Sequence, residues 1–214
     1  MTLKTNNLTE AAGLYAQHGA MIAKKVANSL ISGFQSVFTI DEATRNVYYR
    51  DKGLAHARKG RYERAAELLE PLCVNSQGDP EILLYLGLSY LKTQRGQEGL
   101  ELLEKAHGKQ KDNMKIATAL GIAYIQAENY KKAVSLLKKA AKANPGNFNV
   151  RYKLGVAHDN LGDHDLAIES FTAALELRPG EAKVYRSIGF AYEQKGDHES
   201  AVTYFKKANE REEG

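Results

Sequence analysis

A glycine returns every 34 residues along this chain: Gly53, Gly87, Gly121, Gly155 and Gly189. No insertion breaks the spacing, so one unit has been used over and over. Two other positions keep step with the glycines. Twelve residues after each stands a small residue (Ala65, Gly99, Ala133, Ala167, Ala201), and sixteen after it a large apolar one (Leu69, Leu103, Leu137, Phe171, Phe205). The fullest copy, residues 148–179, reads FNVRYKLGVAHDNLGDHDLAIESFTAALELRP. A unit of this kind is a pair of antiparallel helices. Gly155 lets the first helix lie close to the second, Gly162 turns the chain, and Ala167 and Ala174 keep the second helix tight against the next unit. Pro179 closes the pair, because proline cannot continue a helix interior.

The spacing resembles the 34-residue tetratricopeptide (TPR) pattern. It predicts an all-α fold, a right-handed superhelical solenoid of helical hairpins. Its repeats are expected over 46–79, 80–113, 114–147, 148–181 and 182–214. Below, a residue's place in its repeat is counted from the first residue of that repeat. One step further back the pattern fades. A repeat starting at Ala12 puts Tyr15 and Gly19 in place but leaves Ile31 and Gln35 where a small and a large apolar residue belong. Residues 1–45 are therefore either a degenerate repeat or an amphipathic arm. The repeat 80–113 opens cleanly, with Asp79 as a cap before Pro80. It then carries Gly96, Gly99 and Gly108 and lacks the closing proline. Glycine inside a helix costs about 0.5–1 kcal/mol relative to alanine. A softer joint is thus expected over 108–113, dividing an N-terminal TPR part (46–113) from a C-terminal one (114–214).

Composition removes several function classes. The single cysteine, Cys73, rules out an internal disulfide framework and is expected as a buried, inert thiol. The opening MTLKTNNLTEAAG has no long apolar stretch, so no secretory signal is expected, and no window is long and apolar enough to span a membrane. The glycines come singly, and none opens a phosphate-binding loop. Cys73 has no histidine or cysteine neighbour to activate it, and no serine elbow is present. Four of the six histidines fall at packing positions, His56 and His158 at position 11, His164 and His198 at position 17. No enzyme, cofactor, metal or small-molecule substrate is expected.

What remains is binding. In a TPR array the first (A) helix of each repeat lines the concave groove, chiefly through positions 2, 5, 9, 12 and 13. Those positions give an apolar row of Leu84, Leu88, Leu91, Ile122, Ile125, Tyr152, Val156 and Phe190, with a basic rim of Arg50, Arg58, Lys92, Lys115 and Arg186. An apolar groove takes an amphipathic helix or apolar segment. The carboxylate clamp of chaperone-binding TPR modules is missing, since its Lys and Asn fall at Arg50 and Leu54. One occupant is at hand within the chain. Residues 9–38 form an amphipathic stretch in which Leu14, Ile22, Val26, Leu30 and Phe34 recur near helical spacing, and it can enter the groove of a neighbouring copy. Such a head-to-tail contact builds rings or open arrays. Lys24 and Lys25 beside that stripe leave a membrane-surface role open. Charge is uneven too. Residues 114–147 hold six lysines against Glu128, whereas 148–181 hold three bases against six acids. Lys131, Lys132, Lys138, Lys139 and Lys142 form a convex basic patch without interleaved arginine or aromatic residues, which argues against nucleic acid. It reads as a solvated face, or as a dock for an acidic protein or anionic headgroups.

Three stretches go beyond the repeat consensus: VYYRDKGLAHARKGRY (47–62), ANPGNFNVRYKLGVAHDNLG (143–162) and YEQKGDHESAVTYFKKANE (192–210). With LYAQHGAMIAKK (14–25), they resemble the magnetosome-associated TPR proteins of magnetotactic bacteria. The resemblance implies a hook-shaped, non-enzymatic scaffold on the cytoplasmic side of the magnetosome membrane, peripherally attached. It implies self-assembly into a homo-oligomeric coat and recruitment of other magnetosome proteins. On the residues alone, a general bacterial TPR adaptor or a regulatory subunit of an enzyme complex also fits.

Overall fold

The computed structural model describes residues 41–75 and 78–213. Among them the chain is all-helical. Residues 1–40, and with them Leu14, Ile22, Val26, Leu30 and Phe34, lie outside the described residues. The chain falls into two compact units, residues 1–72 and 73–214.

The first unit holds α1 (Glu42–Arg58) and most of α2 (Tyr62–Asn75). The second holds α3 (Pro80–Lys92), α4 (Gly96–Lys109), α5 (Met114–Gln126), α6 (Tyr130–Ala143), α7 (Phe148–Asn160), α8 (His164–Leu177), α9 (Ala182–Gln194) and α10 (His198–Glu213). Helices α3, α5, α7 and α9 begin at the first residue of their repeats. Caps fix that register. Asp79, Asn113 and Asn147 accept backbone N–H bonds from Glu81, from Lys115 and Ile116, and from Val150. The first helix starts four residues before its repeat, at Glu42, because Asp41 caps it by accepting from the Thr44 N–H at 2.8 Å. Within the second unit each A helix packs on its own B helix, and each B helix on the next A helix.

The recurring glycine marks the A–B seam. A Cβ on Gly155 would sit 2.6 Å from the Phe171 ring, one on Gly121 2.8 Å from Leu137, and one on Gly53 2.6 Å from Leu69. Large residue and glycine thus interlock within each hairpin. The alanines at position 20, Ala65, Ala133, Ala167 and Ala201, are fully buried.

Position 15 closes every A helix in the left-handed region: Gly60, Gln94, Glu128, Gly162 and Gly196 have φ between 56° and 79°. The next N–H then reaches back to the carbonyl at position 11, as from Asp163 to His158 at 3.0 Å and from Asn129 to Tyr124 at 2.8 Å. This is the Schellman closure. The link from α4 to α5 is as short as its counterparts despite the missing proline, and both sides of it lie in the second unit.

Candidate protein-binding surface

The A helices of the second unit present the predicted row in part. Leu88, Leu91, Ile122, Ile125, Tyr152 and Val156 are half-buried, each with one side open. Leu84 departs from expectation, being only 3% exposed. Its helix is the reason: Ile82, Leu83, Leu84, Tyr85 and Leu86 are all buried, so α3 is apolar nearly all round and position 5 faces packing. Phe190, in α9, is the open member of the row. It is 53% exposed, its ring edge-on to Phe205 at 5.1 Å.

A cleft of about 400 Å³ opens between successive repeats, lined by Leu88, Lys115, Thr118, Ile122, Asn144 and Val150 among others. It brings three of the predicted residues, Leu88, Lys115 and Ile122, onto one apolar site. Lys115 stands at its edge, donating to the Tyr85 hydroxyl at 2.5 Å with its ammonium 4.8 Å from that ring's centre.

The rim is more organised than a row of free cations. Phe148 and Tyr152 lie parallel with centroids 6.2 Å apart. Lys183 sits 5.3 Å and 5.5 Å from their centres, and Arg178 sits 4.5 Å from Phe148. These are cation–π contacts. Lys153 joins the group at position 6, outside the positions the repeat pattern singles out. Burial first, then the charges of Lys92 and Lys183, hold its ammonium below the usual lysine range. Three lysines from three repeats thus share one field. Arg186 is paired instead, donating to Glu212 at 2.6 Å. In the first unit Arg50 is half-buried, 3.5 Å from Asp51, and Arg58 is exposed in the last turn of α1.

On the B-helix side, Lys131, Lys132, Lys138, Lys139 and Lys142 are all exposed on α6. Lys132 lies 3.9 Å from Glu104 and over the Tyr124 ring. The histidines do more than fill space. His164 meets Asp159 at 3.0 Å and His198 meets Glu193 at 2.9 Å, each joining position 17 to position 12 across the turn. His158, nearly buried, meets Asp163 at 3.3 Å. A histidine five residues from an acid across a glycine turn was the signal available in the sequence. Among the described residues no three such groups converge as a metal site, and no helix is long and apolar enough to cross a membrane. Cys73 is half-buried rather than buried.

The paired helices, their glycine seams and their repeated closures define a tetratricopeptide-repeat solenoid. The tetratricopeptide repeat family model matches residues 118–182 and 160–212, and the model for anaphase-promoting complex, cyclosome, subunit 3 matches 58–140. Magnetosome protein MamA of Magnetospirillum gryphiswaldense is 48% identical over 87 residues, which span 41% of this chain and 40% of that protein. MamA of Paramagnetospirillum magneticum matches to the same extent. Solved structures extend the likeness. MamA MSR-1 C2 is 53% identical with a TM-score of 0.76, over 79% of this chain and 97% of that one. MamA AMB-1 P212121 is 54% identical with a TM-score of 0.75, over 78% and 99%. The chain belongs to the MamA family of tetratricopeptide-repeat proteins.

Proposed function

We propose that this protein is a non-enzymatic scaffold of the magnetosome. It assembles with copies of itself into a coat on the cytoplasmic side of the magnetosome membrane and recruits other magnetosome proteins to it. The observation that carries the reading is the A-helix face of the second unit. There a row of half-buried apolar side chains, Leu88, Leu91, Ile122, Ile125 and Val156, borders a cleft of about 400 Å³. Lys115 is the cation among its lining residues. An open apolar row with a polar rim accepts an amphipathic helix, and the family supplies the setting.

The self-assembly step assigns residues 9–38 to the face of a neighbouring copy, with Leu14, Ile22, Val26, Leu30 and Phe34 as the inserted side chains. The contact is heterologous, so it propagates. Deleting residues 1–41 is expected to convert large assemblies into monomers or small oligomers. Light scattering reads the result, and an unchanged particle size refutes the assignment. Ile122→Asp, on the receiving face, is expected to reduce assembly in the same way while leaving helix content intact.

A further inference from the structure

The outer faces of the B helices carry a pattern that the A-helix face does not use. Repeat positions 18, 22, 25 and 29 are exposed in α4, α6, α8 and α10 alike. Spacings of four, three and four residues set them in one stripe along each helix. In α6 the stripe reads Lys131, Ser135, Lys138, Lys142. In α8 the same positions read Asp165, Glu169, Thr172, Glu176. On the other flank of α6, α4 presents Glu101 and Glu104. The basic stripe therefore lies between acidic ones. Asp165 is bonded to Lys195, but Lys131, Lys138, Lys142, Glu169 and Glu176 make no ion pair with the described residues. Opposite charges stand one repeat apart, and apart from Asp165 and Glu104 they make no ion pair among the described residues.

A uniformly anionic surface matches this face poorly, because the acids on α4 and α8 meet it as soon as the α6 lysines do. A surface with the same stripes, offset by one repeat, matches it well. We propose that the face binds a second copy of this chain about a two-fold axis parallel to the helices, so that α6 of each copy lies on α8 of the other. Equivalent helices of successive repeats run in the same sense, and a rotation about that axis keeps their register. Lys131 of one copy then faces Asp165 of the other, and Lys142 faces Glu176. Lys138 falls between Glu169 and Glu176. The alternative in-plane axis stacks α6 on α6 and α8 on α8, like charge on like. Charge thus selects one axis, and the contact is isologous, each pair occurring twice.

Two helices of 14 residues cover about 400 Å² per copy, half of what a stable interface buries. The contact is weak alone and sensitive to salt. It uses a face that the proposed arm contact leaves free, and it does not depend on that contact. A heterologous contact gives rings or filaments; an added two-fold contact on another face joins them side by side, as a layer requires.

The test mixes unlabelled and ¹⁵N-labelled full-length protein at about 20 mM salt and joins touching lysine–carboxylate pairs with a carbodiimide. Mass spectrometry is expected to find light–heavy peptides linking the α6 lysines to the α8 glutamates, falling about tenfold at about 300 mM salt. The triple variant Lys131→Glu, Lys138→Glu, Lys142→Glu should lose these links, and so should the double variant Glu169→Lys, Glu176→Lys. Mixing the two variants should bring back α6–α8 links between them. All these positions are exposed, and circular dichroism checks that helix content is kept. The full-length variant Ile22→Asp, Val26→Asp, aimed at the arm, should leave the links intact, which separates failure of one contact from failure of the other. Absence of light–heavy α6–α8 links at low salt overturns the proposal, as does failure of the mixed variants to link. Loss of flotation by the triple variant on vesicles containing about 30% phosphatidylglycerol, with no such links in the parent protein, assigns the stripe to lipid headgroups and overturns it too.

Discussion

Repeats 80–113 and 148–181 are the same hairpin closed in two ways. In 148–181 an aromatic ring fills the seam: a Cβ on Gly155 would lie 2.6 Å from Phe171, which is 1% exposed. In 80–113 backbone meets backbone: a Cβ on Gly99 would lie 2.7 Å from the Gly87 carbonyl oxygen and 3.0 Å from the Leu91 nitrogen. Gly99 looks like a weak point by helix propensity, yet it lets these two helices touch. Glycine at position 20 trades helix propensity for close approach, and alanine there trades the other way.

Substitution at the seam gives the largest expected effect. Gly99→Ala should destabilise by about 2–3 kcal/mol, because the obstructing atoms belong to the backbone and cannot turn aside. Gly155→Ala should cost less, about 1–2 kcal/mol, since the obstructing atoms belong to a ring that can tilt. Denaturant unfolding of both variants ranks them, and the reverse order breaks the comparison. Next come the turns. Gln94 closes α3 with φ 63°, where repeat 148–181 has Gly162 at φ 78°. A side chain in the left-handed region costs about 1–2 kcal/mol. Gln94→Gly should therefore stabilise by about 1 kcal/mol and Gly162→Ala destabilise by about as much, opposite signs at one repeat position.

Much of this hairpin is legible in the sequence, and some of it is not. The seam was legible, because a steric rule leaves glycine opposite a large residue, and so was the start of four A helices. The closing turn was legible at Gly162, but Gln94 and Glu128 hide the same conformation behind ordinary side chains. The half-buried A-helix row was legible from repeat position except at Leu84, whose burial depends on neighbours that periodicity does not see. Lys153 escaped because its position is off the row. Its field exists only once Lys92 and Lys183 arrive from other repeats. The histidine–acid pairs escaped because five residues across a turn is neither helical nor strand spacing.

The two repeats also differ in how each is tied to the next. Repeat 80–113 is tied to the next by Tyr124, whose hydroxyl donates to Glu104 at 2.6 Å. The equivalent positions after 148–181 are Tyr192 and Thr172, and Tyr192 stacks on Tyr204 instead, at 5.4 Å. Burial, and then Glu104, push the Tyr124 hydroxyl up to about 12. A raised tyrosine favours the neutral form in the fold, so its contribution is complete below about pH 10 and disappears as pH climbs to about 12. Tyr124→Phe should cost about 1 kcal/mol at pH 8. The parent protein should lose stability between pH 10 and 12 more steeply than the variant, as denaturant titrations across that window will read. Parallel curves would place the tie elsewhere.

The smallest expected effect separates two of the three glycines of α4, Gly99 and Gly108. Gly99 is hemmed in, whereas a Cβ on Gly108 meets nothing within 4 Å. At Gly108 only propensity acts, so Gly108→Ala should stabilise by about 0.5 kcal/mol, opposite in sign to Gly99→Ala nine residues earlier. The same substitution sharpens the proposed soft joint over 108–113. If backbone freedom at Gly108 sets that softness, alanine should slow amide exchange over 106–113 and leave 140–147 unchanged. Slower exchange at both links would instead report global stabilisation. Unchanged exchange at both would move the source of any softness from Gly108 to Gln110–Asn113, the segment that lacks the closing proline.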